Sequence, residues 1–190
     1  MRAFIIGNGE SRSKFNLAKL FKHGLVYGCN AIYRDYRPDF LITVDPTIAK
    51  EIGKTEYINL WKVYTPYSDI ASTHKNFVSF KTKTRQCAGV TASLLAINHG
   101  CTEIYLLGHD LGSPNGLINN VYKNSSCYKQ AWQDDDSFDV YVSDYYDLFA
   151  TQTKIDFIRV MGKQSYPVKQ FRNYTNYKET KLETFEKNFS

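Results

Sequence analysis

Residues 2–9, Arg2-Ala3-Phe4-Ile5-Ile6-Gly7-Asn8-Gly9, set a short apolar run against a glycine turn, the pattern of a strand that ends abruptly. Residues 103–110, Glu103-Ile104-Tyr105-Leu106-Leu107-Gly108-His109-Asp110, repeat it. Between them lie two more runs, Leu25–Asn30 and Asp39–Val44, the second bracketed by Pro38 and by Asp45-Pro46. Runs without polar alternation suit strands buried on both faces, as in parallel sheets. Helical patterns separate them. One follows Ser11, with Phe15, Leu17, Ala18, Leu20 and Phe21 crowding one side and Gly24 as its stop. The other spans Gly89–His99, with Val90, Leu94, Leu95 and Ile97 as its stripe and Gly100 as its end. This alternation predicts an α/β, Rossmann-like fold: a mainly parallel sheet with helices on both faces.

Working outward, Tyr57–Tyr64 and Asn76–Lys81 read as weaker strands, Val142–Gln152 as a helix and Ile155–Val160 as a last strand. Residues 112–140, rich in Gly, Asn, Ser and Asp, form a long lid loop, a length that usually serves a binding role. The organisation predicted is one nucleotide-binding domain over 1–168 and a C-terminal helical tail over 169–190, where Leu182, Phe185 and Phe189 stand at helical spacing.

With 190 residues, 43% of them hydrophobic and 23% charged, the chain has the composition of a globular domain, not of a disordered one. No apolar run approaches the ~18–20 residues that cross a bilayer, and no basic-then-apolar leader opens the chain. We therefore expect a soluble, cytoplasmic protein without a membrane partner. Lys and Arg total 24 against 19 Asp and Glu, a net +5 that suits a small anionic ligand and gives no strong nucleic-acid signal. Cys29, Cys87, Cys101 and Cys127 form no C-x-x-C pair, and the four His show no ligand spacing. The expectation is free thiols in a reducing compartment and no metal site.

Ligands of parallel sheets sit beyond the carboxyl ends of the strands, which directs attention to four polar clusters. Gly7, Asn8 and Gly9 let backbone approach a ligand, and the following helix start favours a phosphate; Ser11 caps that helix or bonds an oxyanion. The stretch lacks the G-K-[ST] ending of a Walker A loop and the third glycine of the dinucleotide fingerprint, and a plain strand–helix turn fits it equally. Asn30 can pair with a base or ribose, or close a turn. Asp45 can hold a ribose hydroxyl or a metal, or cap locally. Gly108-His109-Asp110 places two titratable groups straight after a buried strand, costly inside a core and natural at an active-site rim. Arg85, just before the helix starting near Gly89, makes a second anion site. The Asp134-Asp135-Asp136 run reads as solvated loop, and Tyr122, Tyr128 and Trp132 either close over a ligand or anchor the loop.

Four segments in order, FIIGNGES (4–11), GCNAIY (28–33), PDFLITVDP (38–46) and GVTASLLAINHGCTEIYLLGHDL (89–111), resemble the bacterial sialyltransferases of the Campylobacter type. They resemble equally the related motility-accessory-factor (DUF115) proteins, a group that extends to a pterin pyrophosphokinase. The similarity covers roughly residues 3–46 and 85–111, and the short, Tyr- and Asn-rich chain suits a bacteriophage-encoded member. The resemblance implies glycosyl transfer from a nucleotide-activated sugar without a catalytic metal. It puts Gly7, Asn8 and Gly9 at the nucleotide phosphate and sugar, and Asn30 at a cytidine monophosphate donor. It also matches Asp45, Arg85, Gly89 and Gly108 to the nucleotide site. Two features depart from the sialyltransferases: Gly112 stands where they carry a tyrosine, and no histidine follows His109, although they use one in the lid.

Three readings follow. In the first, a CMP-sugar is the donor and no cofactor is required. Backbone N–H groups and Arg85 stabilise the departing phosphate, His109 or Asp110 takes the acceptor proton, and Tyr122 or Tyr128 replaces the phosphate-binding tyrosines. In the second, Asp45 and Asp110 hold Mg²⁺ for phosphoryl or diphosphoryl transfer. In the third, the chain binds a nucleotide without catalysis. Nothing in the pattern opposes a homo-oligomer.

Overall fold

The computed structural model describes residues 1–82, 86–134 and 138–189. Strands β1 (Arg2–Ile6), β2 (Leu25–Cys29), β3 (Phe40–Ile42), β4 (Val63–Thr65), β5 (Phe77–Ser79), β6 (Glu103–Leu107), β7 (Asp156–Met161) and β8 (Tyr177–Lys181) form one sheet. Their order is β5-β4-β3-β2-β1-β6-β7-β8, and every pairing is parallel. The chain winds outward from β1 to β5, crosses back, and continues from β6 to β8. The order therefore reverses between β1 and β6, the place where open α/β sheets form a crevice.

The central strands explain their own composition. Ala3, Phe4, Ile5 and Ile6 are all fully buried because both faces of β1 are covered. Ala3 and Ile5 pack with Tyr27, Ile104 and Leu106 under α4 (Ala88–Asn98) and α5 (Phe138–Thr151). Phe4 and Ile6 face the opposite layer, with α1 (Pro46–Ile52), α2 (Glu56–Leu60), α3 (Ser68–Ala71) and α6 (Leu182–Asn188). There Phe4 meets the rings of Tyr105, Phe185 and Phe189 with centroids 5.5, 6.1 and 5.1 Å away. Burying a side chain of this size contributes on the order of 2–3 kcal/mol.

Three expectations are corrected. The segment after β1 is not an α-helix but two 3₁₀ turns, Glu10–Arg12 and Leu17–Lys22, with the Asn16 side chain accepting from the Ala18 N–H at 3.1 Å. The buried Arg12 side chain turns back to donate to the Gly7 carbonyl at 2.6 Å, and the Ser11 N–H donates to Asp110 at 2.9 Å, both pulling the chain off a helical path. Second, residues 57–64 do not form one strand. Residues 56–60 make the helical turn α2, which buries Ile58, and only Val63–Thr65 enters the sheet. Third, the tail is not purely helical. Tyr177–Lys181 adds β8 as the polar edge strand beside β7, and α6 then docks through Phe185 and Phe189. Among the described residues no helix is long and apolar enough to cross a membrane.

Candidate functional site

The carboxyl ends of β1, β2 and β6, with the start of α1 after β3, open into one cavity of about 580 Å³. Gly7–Gly9, Cys29–Asn30, Val44–Pro46 and Gly108–Gly112 line it, and Cys87–Gly89 at the start of α4 closes one side. Tyr141 and Tyr145 of α5 and loop residues 118–120 and 127–129 complete the wall.

Its floor is the junction of the β1 and β6 turns. The Gly7 N–H donates to Leu107 and the Gly9 N–H to Gly108, both at 2.8 Å. Glu10 N–H donates to Asn119 Oδ1 at 2.9 Å. These amides already have protein acceptors, and no α-helix follows to supply a dipole. The glycines have a packing reason of their own: a Cβ at Gly7 would lie 2.5 Å from the Gly108 oxygen, and one at Gly9 2.4 Å from Asp110 Oδ2. They let two turns touch. Gly108 itself takes a left-handed φ of +71°, which a side chain would strain.

His109 lies inside this junction. Its Nε2 is 3.0 Å from the Ile5 carbonyl and its Nδ1 2.7 Å from Tyr145 Oη. Burial, joined by the Arg159 and Arg12 charges and opposed by the Ile5 carbonyl, lowers its pKa to about 3. Both ring nitrogens have protein partners, so His109 joins the framework between the two turns while also lining the cavity. Asp110 is also buried, with Oδ2 accepting from the Ser11 N–H and Oδ1 from Ser165 Oγ, each at 2.9 Å.

Arg159 of β7 holds this turn from behind and was missed in the sequence. It is fully buried, donating from Nε to the His109 carbonyl at 2.8 Å and from Nη2 to those of Asp110 and Tyr166 at 2.7 and 2.9 Å. The available signal was an arginine inside the apolar run Phe157–Met161, since a charge is buried only where it is well partnered.

The remaining candidates divide. Asn30 reaches the wall at a left-handed φ of +52°, its Oδ1 accepting from the Val44 N–H at 3.3 Å. Asp45 also reaches the wall, while Oδ1 caps α1 through the Thr47 and Ile48 N–H groups at 2.7 and 3.4 Å. Asn8 lines the cavity and donates to the Cys29 carbonyl at 3.2 Å and to Tyr128 Oη at 3.3 Å. Ser11 does not line the cavity; it packs against Gly162. Nor does Tyr122, whose hydroxyl accepts from Arg12 Nη2 at 3.3 Å. Burial pushes its pKa up to about 12. Tyr128 lines the wall instead, and Trp132 is 74% exposed. Arg85, like Asp135 and Asp136, lies outside the described residues. At the α4 start, where that anion site was expected, the Asp144 carboxylate accepts from the Cys87 N–H at 2.6 Å, already placing negative charge at the helix terminus.

The described part of the lid is pinned over the cavity by side chains. Arg34 holds Glu51 and reaches Ser125 Oγ and the Ser126 carbonyl at 2.9 and 3.0 Å. Burial raises the Glu51 pKa, but hydrogen bonds from Tyr33 and Arg34 overrule it and hold it down to about 2. Lys123 pairs with Glu10, and Val121 N–H donates to the Asn8 carbonyl at 2.8 Å. All four cysteines are free thiols, and no group of three His, Cys, Asp or Glu among the described residues is placed to hold a metal.

No protein-family model and no curated protein matches the chain. Among solved structures it is similar to the sialyltransferase CST-II in complex with a trisaccharide acceptor and CMP, at 18% identity over 84% of this chain and 80% of that one, TM-score 0.41. It is also similar to the sialyltransferase CstII from Campylobacter jejuni with a substrate analogue, cytidine-5'-monophosphate, at 17% identity over 91% and 83%, TM-score 0.38.

Proposed function

We propose that this cavity binds a nucleotide-activated sugar, a CMP-sugar, and that the chain is a glycosyltransferase. The observation that carries the reading is the convergence of Asn8, Asn30, Asp45, Gly89 and Gly108 on one cavity where the strand order reverses. Its volume of about 580 Å³ is in the range of small-ligand sites. The four ordered segments that resemble the sialyltransferases supply the donor class. In the reaction an acceptor oxygen bonds to the anomeric carbon as the bond to the phosphate oxygen breaks, and the acceptor proton passes to a base. Two acids line the wall: Asp110 accepts through both oxygens, whereas Asp45 uses only one. Asp45 is therefore the base in this reading.

A second reading, a nucleotide-binding module without turnover, is favoured by the engagement of His109 and Asp110 in the framework. Thermal shifts with CMP, CDP, UDP and ATP, each with and without Mg²⁺, test both. Stabilisation by CMP without metal supports a cytidine site, and stabilisation only by ATP with Mg²⁺ replaces it with phosphoryl transfer. Hydrolysis of a CMP-sugar by the wild type but not by Asp45→Asn supports the enzyme; CMP binding without turnover supports the module.

A further inference from the structure

A hydroxyl offers one hydrogen to donate and two lone pairs to accept with. Tyr145 is a residue of the cavity wall, 1% exposed; its Oη lies 2.7 Å from His109 Nδ1, and the far nitrogen of that ring lies 3.0 Å from the Ile5 carbonyl. A carbonyl only accepts, so Nε2 carries the ring hydrogen. Nδ1 is then a bare acceptor, and the phenol must donate to it. The opposite tautomer would face two acceptors at 3.0 Å and is excluded by this geometry. A doubly protonated ring would bury a cation near Arg159 and Arg12, and burial already holds the His109 pKa down to about 3. The phenol has no room to swing away. The α4 start presses on it so closely that a Cβ at Gly89 would stand 2.2 Å from Tyr145 Oη and 2.6 Å from His109 Nδ1.

We infer that Tyr145 is a specificity-determining residue: with its hydrogen committed to His109, it presents only lone pairs to the cavity and selects a ligand group that donates, a hydroxyl or an amine, over a phosphate oxygen. His109 is the positioning residue that sets this polarity. The inference rests on the proposed nucleotide-sugar reading for the ligand's identity. It adds that the sugar or base, and not the phosphate, lies against α5.

The test is ring-¹⁵N histidine NMR on the full chain, with His109 assigned through His109→Gln. The probes are methyl β-D-riboside for hydroxyls, cytosine for the amine, inorganic phosphate and CMP. The expected result is a neutral, Nε2-protonated His109 from pH 5 to 8. The riboside or cytosine moves its Nδ1 signal, according to which group sits there, and phosphate leaves it in place. Tyr145→Phe, which keeps the buried ring, removes that response and weakens the donating probe roughly two- to tenfold, as loss of one hydrogen bond requires. A ring protonated at Nδ1 overturns the inference, as does a signal that phosphate moves as far as the donors, or one that neither donor moves. A response to riboside or cytosine without any response to CMP keeps the inference and overturns the nucleotide reading.

Discussion

The β1–β6 junction and the 117–134 segment enclose the same cavity by different means. At the junction, backbone amides meet backbone carbonyls at 2.8 Å, and the fully buried Arg159 and nearly buried Arg12 tie the turns together. The lid segment has few backbone bonds to the rest of the molecule, Val121 N–H to the Asn8 carbonyl among them, and is otherwise held by half-buried side chains such as Arg34, Glu51, Asn119 and Lys123. Backbone bonds between buried glycine turns open only when the sheet opens. Exposed side-chain contacts open locally, at small free-energy cost. The floor is therefore held more firmly than the cover.

This contrast is broken most severely at Arg159. Arg159→Met removes donors from three carbonyls and is expected to destabilise the fold by about 3–5 kcal/mol, read from denaturant unfolding. A loss under 1 kcal/mol would show that the junction does not depend on this residue. Acid comes next. His109 has a folded pKa near 3 against 6.5 when unfolded, so its stabilisation is fully present above pH 6.5 and is lost as pH falls toward 3. Between pH 6 and 4 the wild type should lose about 1.4 kcal/mol per pH unit more than His109→Gln. Equal slopes would place His109 in contact with water. Gly9→Ala drives a methyl into the Asp110 carboxylate and should cost about 1–3 kcal/mol. The smallest global effect belongs to the cover. Glu51→Gln should change stability by about 1 kcal/mol or less, while amide exchange at residues 123–128 rises and that at Gly7 and Gly9 stays slow. Acceleration at both would erase the distinction between floor and cover.

How much was legible follows the same division. β1, β6 and α4 could be read because burial on both faces leaves unbroken apolar runs. β8 could not: Tyr177-Lys178-Glu179-Thr180-Lys181 is an edge strand whose polar residues meet water. Tyr57–Tyr64 misled because Ile58 supplies a buried residue to a helical turn as readily as to a strand. At the site, the strand ends carrying Asn8, Asn30, Asp45 and Gly108 were identified from parallel-sheet topology, and they share one cavity. The partners of His109 were not legible, for a physical reason. A titratable residue after a buried strand signals either a rim or an interior with partners, and its partners, Ile5 and Tyr145, are 104 and 36 residues away in sequence. The same holds for Arg12 and Arg159, whose partners are mostly carbonyls and leave no mark on side-chain pattern.

Mapping CMP onto the backbone amides by NMR titration tests the central claim most directly. Shift changes concentrated at Asn8, Asn30, Asp45, Gly89 and Gly108, with the β5 and β8 edges silent, are what a cytidine nucleotide seated between β1, β2 and β6 predicts. Saturable changes centred on any other face of the sheet, or none at millimolar CMP, would contradict it.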